Sequence, residues 1–173
     1  MSASYTVFAS LLRGVNVGGR TNLGMPALAK VYEDLGLADV RTILRSGNVV
    51  FRGRKTAKQI EDAIEKRFAF RPKVFLRNGA ELREAIAANP FADAARDDPG
   101  HLLIMFFDQR PDLSALDAYR GPERFRLVGR DLYVHYTQGI GRSKLNPLLD
   151  RKVEARGTAR NWNTIGKIIG AMG

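Results

Sequence analysis

Four short stretches of the sequence combine a cationic residue with asparagine, serine or glycine: RGVNVGG (13–19), RSGN (45–48), GRSK (141–144) and RNWNT (160–164). Arginine forms paired hydrogen bonds with phosphate and carboxylate groups, and glycine lets backbone N–H groups come close to an anion. We therefore predict a site for a small ligand that carries phosphate or carboxylate, with a nucleotide among the options. The predicted ligand-binding residues are Arg13, Gly14, Asn16, Gly18, Gly19, Ser46, Asn48, Arg142, Ser143, Lys144, Arg160, Asn161, Asn163 and Thr164.

The first stretch matches neither of two well-known phosphate-binding motifs. It lacks the G-x-x-x-x-G-K-[ST] pattern, and it lacks a G-x-G-x-x-G that opens directly into a helix. No acidic residue ends the second predicted strand, where it would hold a ribose. A flexible glycine connection between two elements explains the same residues, so both interpretations stay open.

The GRSK stretch lies at a predicted helix start. Ser143 can cap that helix, and the positive end of the helix dipole favours an anion there. Arg142 and Lys144 are electrostatically unfavourable for the helix itself, which suggests that they serve a ligand. A capped helix with solvated cations is the alternative.

The RNWNT stretch is predicted to open the last helix. Trp162, Ile165, Ile169 and Met172 follow at helical spacing. This periodicity favours a place in the core for Trp162 over a stacking platform for a ligand.

The sequence does not decide whether the protein is an enzyme, it leaves any cofactor unknown, and it indicates no metal site. Cysteine is absent, and His101 and His135 lie on predicted strands without metal-ligand spacing. No H-E-x-x-H or G-x-S-x-G motif is present. In an enzyme, Arg13, Arg142 and Lys144 would stabilise developing negative charge, with Ser143 a nucleophile that has no visible base.

The net charge of +10 is concentrated at the two ends of the chain. Residues 1–55 hold eight Lys/Arg against three Asp/Glu, and residues 139–173 hold seven against two. Residues 56–138 hold thirteen of each. Two basic ends predict a shared anion-facing surface if they meet in space, whereas two separate solvated faces would explain the same distribution.

The first half of the chain is predicted to follow a β-α-β-β-α-β order. The spacing of apolar residues and of turn signals gives strands at 5–13, 40–45, 49–52 and 73–77, with helices from Pro26 and from a cap at Thr56. This is the split order of ferredoxin-like domains. A tight turn at SGN, with Gly47 at positive φ, would then place Asn48 near Arg13.

The second half is predicted to be similar, after a helix at 80–88 and a polar loop at 92–100. It contains a strand at HLLIMFF, a short helix at 113–119, a hairpin of 124–128 with 132–136, and two C-terminal helices. The expected fold is therefore α+β, with a ferredoxin-like β-α-β-β-α-β first half, a similar second half and two C-terminal helices. We expect the halves to divide as 1–92 and 93–173 and to share one core.

Two central strands are apolar on both faces, so something must cover the second face of each sheet. Association of the two sheets within the chain is favoured over a second chain, which leaves monomer or homodimer as the expected states. No 18-residue apolar run and no basic leader is present. With cysteine absent, a cytoplasmic protein without membrane contact is expected.

The same stretches resemble the bacterial family called domain of unknown function 1697. The resemblance rests on LLRGVNVGG, SGNVVF, GRSKL and ARNWNTI, and it covers nearly the whole chain. It implies an α+β fold with ferredoxin-like elements and no particular activity. Arg45 departs from the family pattern, where a neutral polar residue such as glutamine is expected, and this puts in doubt any role that needs a neutral side chain there.

Three classes of function therefore stay open. A small-ligand site is favoured because the charge excess and the motifs occupy the same segments. Nucleic-acid binding is the main alternative, since the sequence pI is about 10.3, although a stacking surface of the kind found in RNA recognition motifs has only Phe51. A structural or interaction protein, whose motifs serve folding alone, is the third.

Overall fold

The computed structural model describes residues 5–16 and 22–173. The chain forms two compact units, the first from Met1–Glu84 with Lys167–Gly173 and the second from Ala85–Gly166. The elements of the first unit are β1 (Val7–Leu12), α1 (Met25–Asp34), β2 (Ala38–Thr42), β3 (Asn48–Arg52), α2 (Ala57–Phe68) and β4 (Val74–Asn78). The predicted β-α-β-β-α-β order is confirmed.

Strand β1 lies inside a four-stranded antiparallel sheet of order β2-β3-β1-β4. It pairs with β3 so that Leu11 faces Asn48, and with β4 so that Ala9 faces Arg77. This register places the turn before β3 beside the end of β1, as the predicted topology requires.

The second unit builds the same sheet again. Its elements are α4 (Ala92–Asp97), β5 (Leu102–Phe106), β6 (Arg124–Val128), β7 (Asp131–His135), α5 (Leu145–Lys152) and β8 (Thr158–Asn161). The sheet order is β6-β7-β5-β8, in which each strand takes the place of its counterpart in the first unit. Helix α3 (Gly79–Ala87) runs across the boundary of the units, and so does the last helix, α6 (Trp162–Met172).

Strand β8 was not predicted, and it separates the two C-terminal helices. Its inward positions are Thr158 and Arg160, both buried, so the stretch lacks the apolar alternation by which strands are recognised. Pairing with β5 supplies the hydrogen bonds that define it. The second unit therefore completes the ferredoxin-like order.

The prediction of a polar loop at 92–100 was wrong. Helix α4 occupies most of it, with Ala94 buried and Asp93 joined to Arg124 of β6 by two hydrogen bonds of 2.6 and 2.9 Å. Alanine favours helix, and these contacts outweigh the surrounding charges. At 113–119 the helical part is limited to a 3₁₀ turn, Ser114–Leu116.

Each unit has a hydrophobic cluster on one face of its sheet. In the first unit Leu28, Tyr32 and Ile60 of the helices pack over Phe51 of β3. In the second, Leu145 and Leu149 of α5 pack with Leu132 and Val134 of β7.

The opposite face of each sheet is also buried, as the two apolar central strands predict. Ala9 and Leu11 of β1 have no exposed surface, and neither have Ile104 and Phe106 of β5. No helix in the described part of the chain is long and apolar enough to cross a membrane.

Helix α2 begins with the predicted cap. The Thr56 hydroxyl accepts the Gln59 N–H at 3.1 Å, and the Gln59 side chain accepts the Thr56 N–H at 2.9 Å. This reciprocal pair satisfies two backbone donors that a helix start otherwise leaves open.

One polar contact lies inside the first cluster, and it generates a prediction. The hydroxyls of Ser10 and Tyr32 are 2.6 Å apart, and both residues are fully buried. Tyr32→Phe leaves the Ser10 hydroxyl buried without its partner, so we expect the free energy of unfolding to fall by about 1–3 kcal/mol. Urea denaturation measures the change.

The matched control is Tyr5→Phe, at a residue that is 62% exposed, which should leave stability unchanged. Replacing both partners, as Ser10→Ala with Tyr32→Phe, should recover part of the loss because no hydroxyl is then orphaned. If the double variant lost as much free energy of unfolding as the two single substitutions together, the two hydroxyls would not interact.

Candidate functional site

The segment after β1 and the RSGN turn lie against each other in the first unit. The Leu12 N–H donates to the Gly47 carbonyl at 2.8 Å, and the Arg13 N–H donates to the Lys73 carbonyl at 2.9 Å. The backbone that presents Arg13 is therefore held between β3 and the start of β4. We call residues 13–16 and 45–48 the loop–turn surface.

Gly47 adopts the predicted positive φ, with a value of 82°. A Cβ at this position would lie 3.0 Å from the Leu12 Cβ and 3.1 Å from the Val15 Cβ. Glycine is therefore required both by the backbone conformation and by the close approach of the two segments.

The two asparagines of this surface are hydrogen-bonded to the backbone. The Asn16 amide donates to the carbonyls of Arg45 at 2.7 Å and Leu23 at 3.3 Å, and its oxygen accepts the Leu23 N–H at 2.8 Å. Asn48 is fully buried, and its amide donates to the Ile43 carbonyl at 2.8 Å and the Ser46 hydroxyl at 2.9 Å. Both side chains therefore stabilise the backbone conformation of the loop–turn surface.

The two arginines of this surface differ in exposure. Arg13 is half-buried, whereas Arg45 is exposed and donates to the Asn22 amide oxygen at 3.2 Å. Gly14 and Ser46 are exposed, with Gly14 at a φ of 76°. Predicted ligand residues Gly18 and Gly19 lie outside the described residues.

The GRSK stretch is anchored by a carboxylate that the sequence did not reveal. The Ser143 hydroxyl donates to one Glu123 oxygen at 2.5 Å, and the Tyr119 hydroxyl donates to the other at 2.7 Å. The same Ser143 oxygen accepts the N–H of Leu145, the first residue of α5. The prediction that Ser143 is the N-cap was wrong, because the N-cap position is Lys144 and no side chain caps the helix there. Arg142 and Lys144 are exposed beside Ser143.

The environment of Glu123 bears on the idea that Ser143 is a nucleophile. Burial alone would raise the pKa of Glu123, but the hydrogen bonds from Ser143 and Tyr119 hold it below the usual value. A carboxylate with a lowered pKa is a weak proton acceptor. Glu123 therefore fixes the position of Ser143 and does little to activate it. Glu123 precedes Ser143 by twenty residues, and spacing along the chain does not reveal a pair so far apart.

In the RNWNT stretch the last helix begins at Trp162, as predicted. Arg160 and Asn161 lie at the end of β8, and only Trp162, Asn163 and Thr164 belong to α6. Asn161 caps that helix by accepting the Thr164 N–H at 2.9 Å. Trp162 is half-buried and Asn163 is exposed.

The end of β8 repeats the end of β4, residue for residue. Arg77 and Asn78 precede α3 as Arg160 and Asn161 precede α6, and Asn78 accepts the Glu81 N–H at 2.9 Å. Both arginines are buried and donate to the carbonyl of the preceding residue. Burial lowers the pKa of the Arg160 guanidinium to about 10.

The two histidines share one carboxylate, which their positions in the sequence did not suggest. Asp98 lies 2.8 Å from the His101 Nδ1 and 2.9 Å from the His135 Nε2. These hydrogen bonds hold the pKa of Asp98 below its usual value. Within residues 5–16 and 22–173, no group of three acidic, histidine or cysteine side chains is placed to hold a metal ion.

A comparison of Gly47→Ala with Gly14→Ala tests the close packing within the loop–turn surface. Both positions have positive φ, which costs an alanine about 1–2 kcal/mol. Only the alanine at 47 also meets other atoms, since nothing lies within 4 Å of a Cβ at Gly14. We expect Gly47→Ala to lower the melting temperature more than Gly14→Ala does, and equal losses would contradict the close packing.

A second test concerns the Asp98 cluster. Its pKa is lower in the folded chain, so it stabilises the fold above the unfolded-state value near 3.8, and this contribution is lost as pH falls further. Asp98→Asn should therefore be less stable than the parent at pH 6, with the difference narrowing below about pH 4. Urea denaturation at several pH values measures this.

The control for the Asp98 test is Asp117→Asn. Asp117 is exposed, and no hydrogen bond of its carboxylate is present in the described structure. Its replacement should leave the pH dependence of stability unchanged. A difference between the parent and Asp98→Asn that is as large at pH 3 as at pH 6 would rule out the ionised carboxylate as the cause.

Comparison with known proteins supports the fold. The chain superimposes on the conserved bacterial protein SP0830 from Streptococcus pneumoniae with a TM-score of 0.73 and 20% sequence identity, over 97% of this chain and 99% of that one. No curated protein matches the sequence. The family model described as protein of unknown function (DUF1697) matches residues 5–133, three quarters of the chain. Together with the predicted motifs, this match shows that the chain belongs to the DUF1697 family.

Proposed function

We propose that the protein binds a small anion, bearing phosphate or carboxylate, at the loop–turn surface of its first unit. The observation that carries the proposal is the Asn16 side chain, which joins the segment after β1 to the RSGN turn through the Arg45 carbonyl. The backbones that present Arg13 and Arg45 are thereby fixed before any ligand arrives. Preorganised donors bind anions with little entropic loss.

The charge of this surface favours the proposal. Residues 13–16 and 45–48 include two arginines and no acidic residue. Their guanidinium groups can form charge-assisted hydrogen bonds, which contribute about 1.5–3 kcal/mol each. Two such contacts correspond to dissociation constants from about millimolar to tens of micromolar. A phosphorylated metabolite or a nucleotide suits this range.

The roles of the other predicted binding residues stay predictions. In the second unit, Arg142, Lys144 and Asn163 are exposed, whereas Arg160 and Thr164 are buried. The exposed cations are the better candidates for a ligand contact. A cytoplasmic location is likewise part of the proposal.

A thermal-shift series tests the proposal with inorganic phosphate, adenosine monophosphate and adenosine triphosphate. A ligand that binds only the folded chain raises the melting temperature with its concentration. We expect at least one compound to do so, and titration calorimetry to give its affinity. The double variant Arg13→Ala, Arg45→Ala should weaken that affinity by about tenfold or more.

Arg54→Ala is the matched control, because Arg54 is an exposed arginine of the same unit outside the loop–turn surface. It should leave the affinity unchanged. Equal affinity in the double variant and the control would reject the proposed site.

If the protein binds nucleic acid, the affinity for oligonucleotides and its dependence on salt will show it. An oligonucleotide complex would lose affinity with salt at a slope of about −0.9 per phosphate contacted. Strong oligonucleotide binding with that slope, and no shift with small phosphates, would favour the alternative. The described sheets do not favour base stacking, since Phe51 is only 1% exposed.

A further inference from the structure

The two units differ in the segment that follows their first strand. In the first unit this segment carries the ten-residue helix α1, which packs against the edge strand β2. In the second unit the corresponding segment is helical only at Ser114–Leu116. A groove of about 710 Å³ lies there, between this segment and β6, and we call it the β6 groove.

Strand β6 is an edge of its sheet. It pairs with β7 in regular register from Arg124 with His135 to Val128 with Asp131, closed by a two-residue turn. In such a hairpin the residues flanking the turn are hydrogen-bonded to each other, and hydrogen-bonded pairs alternate with non-bonded ones. The backbone N–H and C=O groups of Phe125 and Leu127 therefore point away from β7, toward the open edge.

The equivalent edge of the first unit is not open in this way. The pairing of β2 with β3 shifts register between Ala38 and Arg41, and Asp39 has a φ of 50°. Irregularities of this kind protect edge strands against pairing with other chains. Strand β6 has no register shift, no proline and no residue of positive φ.

Side chains give the β6 edge two distinct faces. Phe125 and Leu127 lie on the groove side with Leu113, Leu116 and Tyr119. Arg126 alternates to the other side of the strand and is exposed. An added strand would therefore meet apolar side chains on one face and a cation on the other.

The unpaired charge of Arg126 favours an acidic partner. Within the described residues Arg126 is in no ion pair, and its side chain lies on the exposed face of β6, where the charge of Arg124 is already paired with Asp93. On the groove side the charges of Arg110 and Arg120 balance those of Asp112 and Asp117, and both arginines donate to backbone carbonyls. A second copy of this chain would oppose Arg126 with its own arginines, and each copy carries a net charge of +10.

We propose that β6 accepts an extended acidic peptide as an additional strand. Apolar residues of the peptide enter the β6 groove beside Phe125 and Leu127, and alternating Asp or Glu residues lie beside Arg126. The outward backbone groups of β6 supply the main-chain hydrogen bonds, and the alternation supplies specificity. This surface is in the second unit, so the proposal is independent of anion binding at the loop–turn surface.

Synthetic peptides test this surface on the intact protein. The probe is acetyl-Val-Glu-Val-Glu-Val-Glu-amide, and its controls are the same composition as Val-Val-Val-Glu-Glu-Glu and the alternating Val-Lys peptide. We expect the alternating acidic peptide to bind at least about tenfold more tightly than either control. Hydrogen exchange should show new protection at the Phe125 and Leu127 amides.

A charge reversal provides the matched variants. Arg126→Glu should weaken the acidic peptide by about tenfold or more and improve binding of the lysine peptide. Arg54→Glu changes the net charge equally, at an exposed site in the other unit, and should have little effect. Circular dichroism shows whether each variant is folded. The comparison of the three peptides uses the parent chain, so it does not depend on whether a variant folds.

Several outcomes would overturn the proposal. Equal binding of the ordered and scrambled peptides would show simple charge attraction, and unchanged exchange at Phe125 and Leu127 would exclude strand addition. Absence of peptide binding would exclude this partner class. A dimer that dissociates in Arg126→Glu would assign the edge to a second copy. None of these results depends on whether small phosphates bind.

Discussion

The architecture of each unit depends on one constraint, a central strand that is buried on both faces. Strands β1 and β5 have hydrogen-bonded neighbours on both sides, and their side chains are covered above and below. A backbone group in such a position has no water to bind, so every N–H and C=O must find its partner in the sheet. A slip of one residue would exchange the two faces, and therefore the register is strongly determined. The position of the RSGN turn beside the end of β1 follows from that register.

The elements with strong periodicity could be predicted from the sequence. Helix α2 has apolar residues at helical spacing and a cap at Thr56, and both appear as expected. Strand β8 could not be predicted, because the residues it buries are polar and only pairing with β5 defines it. Helix α4 was missed because its six residues are short and charged, and neither the burial of Ala94 nor the contact of Asp93 with a strand thirty-one residues later is visible in the sequence.

The sequence shows that the candidate site is polar and glycine-rich. It does not show which of its side chains are hydrogen-bonded to the backbone and which are open to a ligand. Asn16 and Asn48 are short amides that could face a ligand or the backbone with equal ease, and their hydrogen bonds show that they face the backbone. The contact of Ser143 with Glu123 and the shared carboxylate of the two histidines are long-range in sequence. Spacing along the chain carries no information about such pairs.

The matching Arg–Asn ends of β4 and β8 mean that one junction between a strand and a helix is built twice. Each unit joins its last strand to the next helix through a buried arginine and a capping asparagine. The arginine donates to the carbonyl of the residue before it, and the asparagine accepts an N–H from the first turn of the helix. The change from strand to helix is therefore encoded at both places by two adjacent residues, and it needs no contact with a distant part of the sequence.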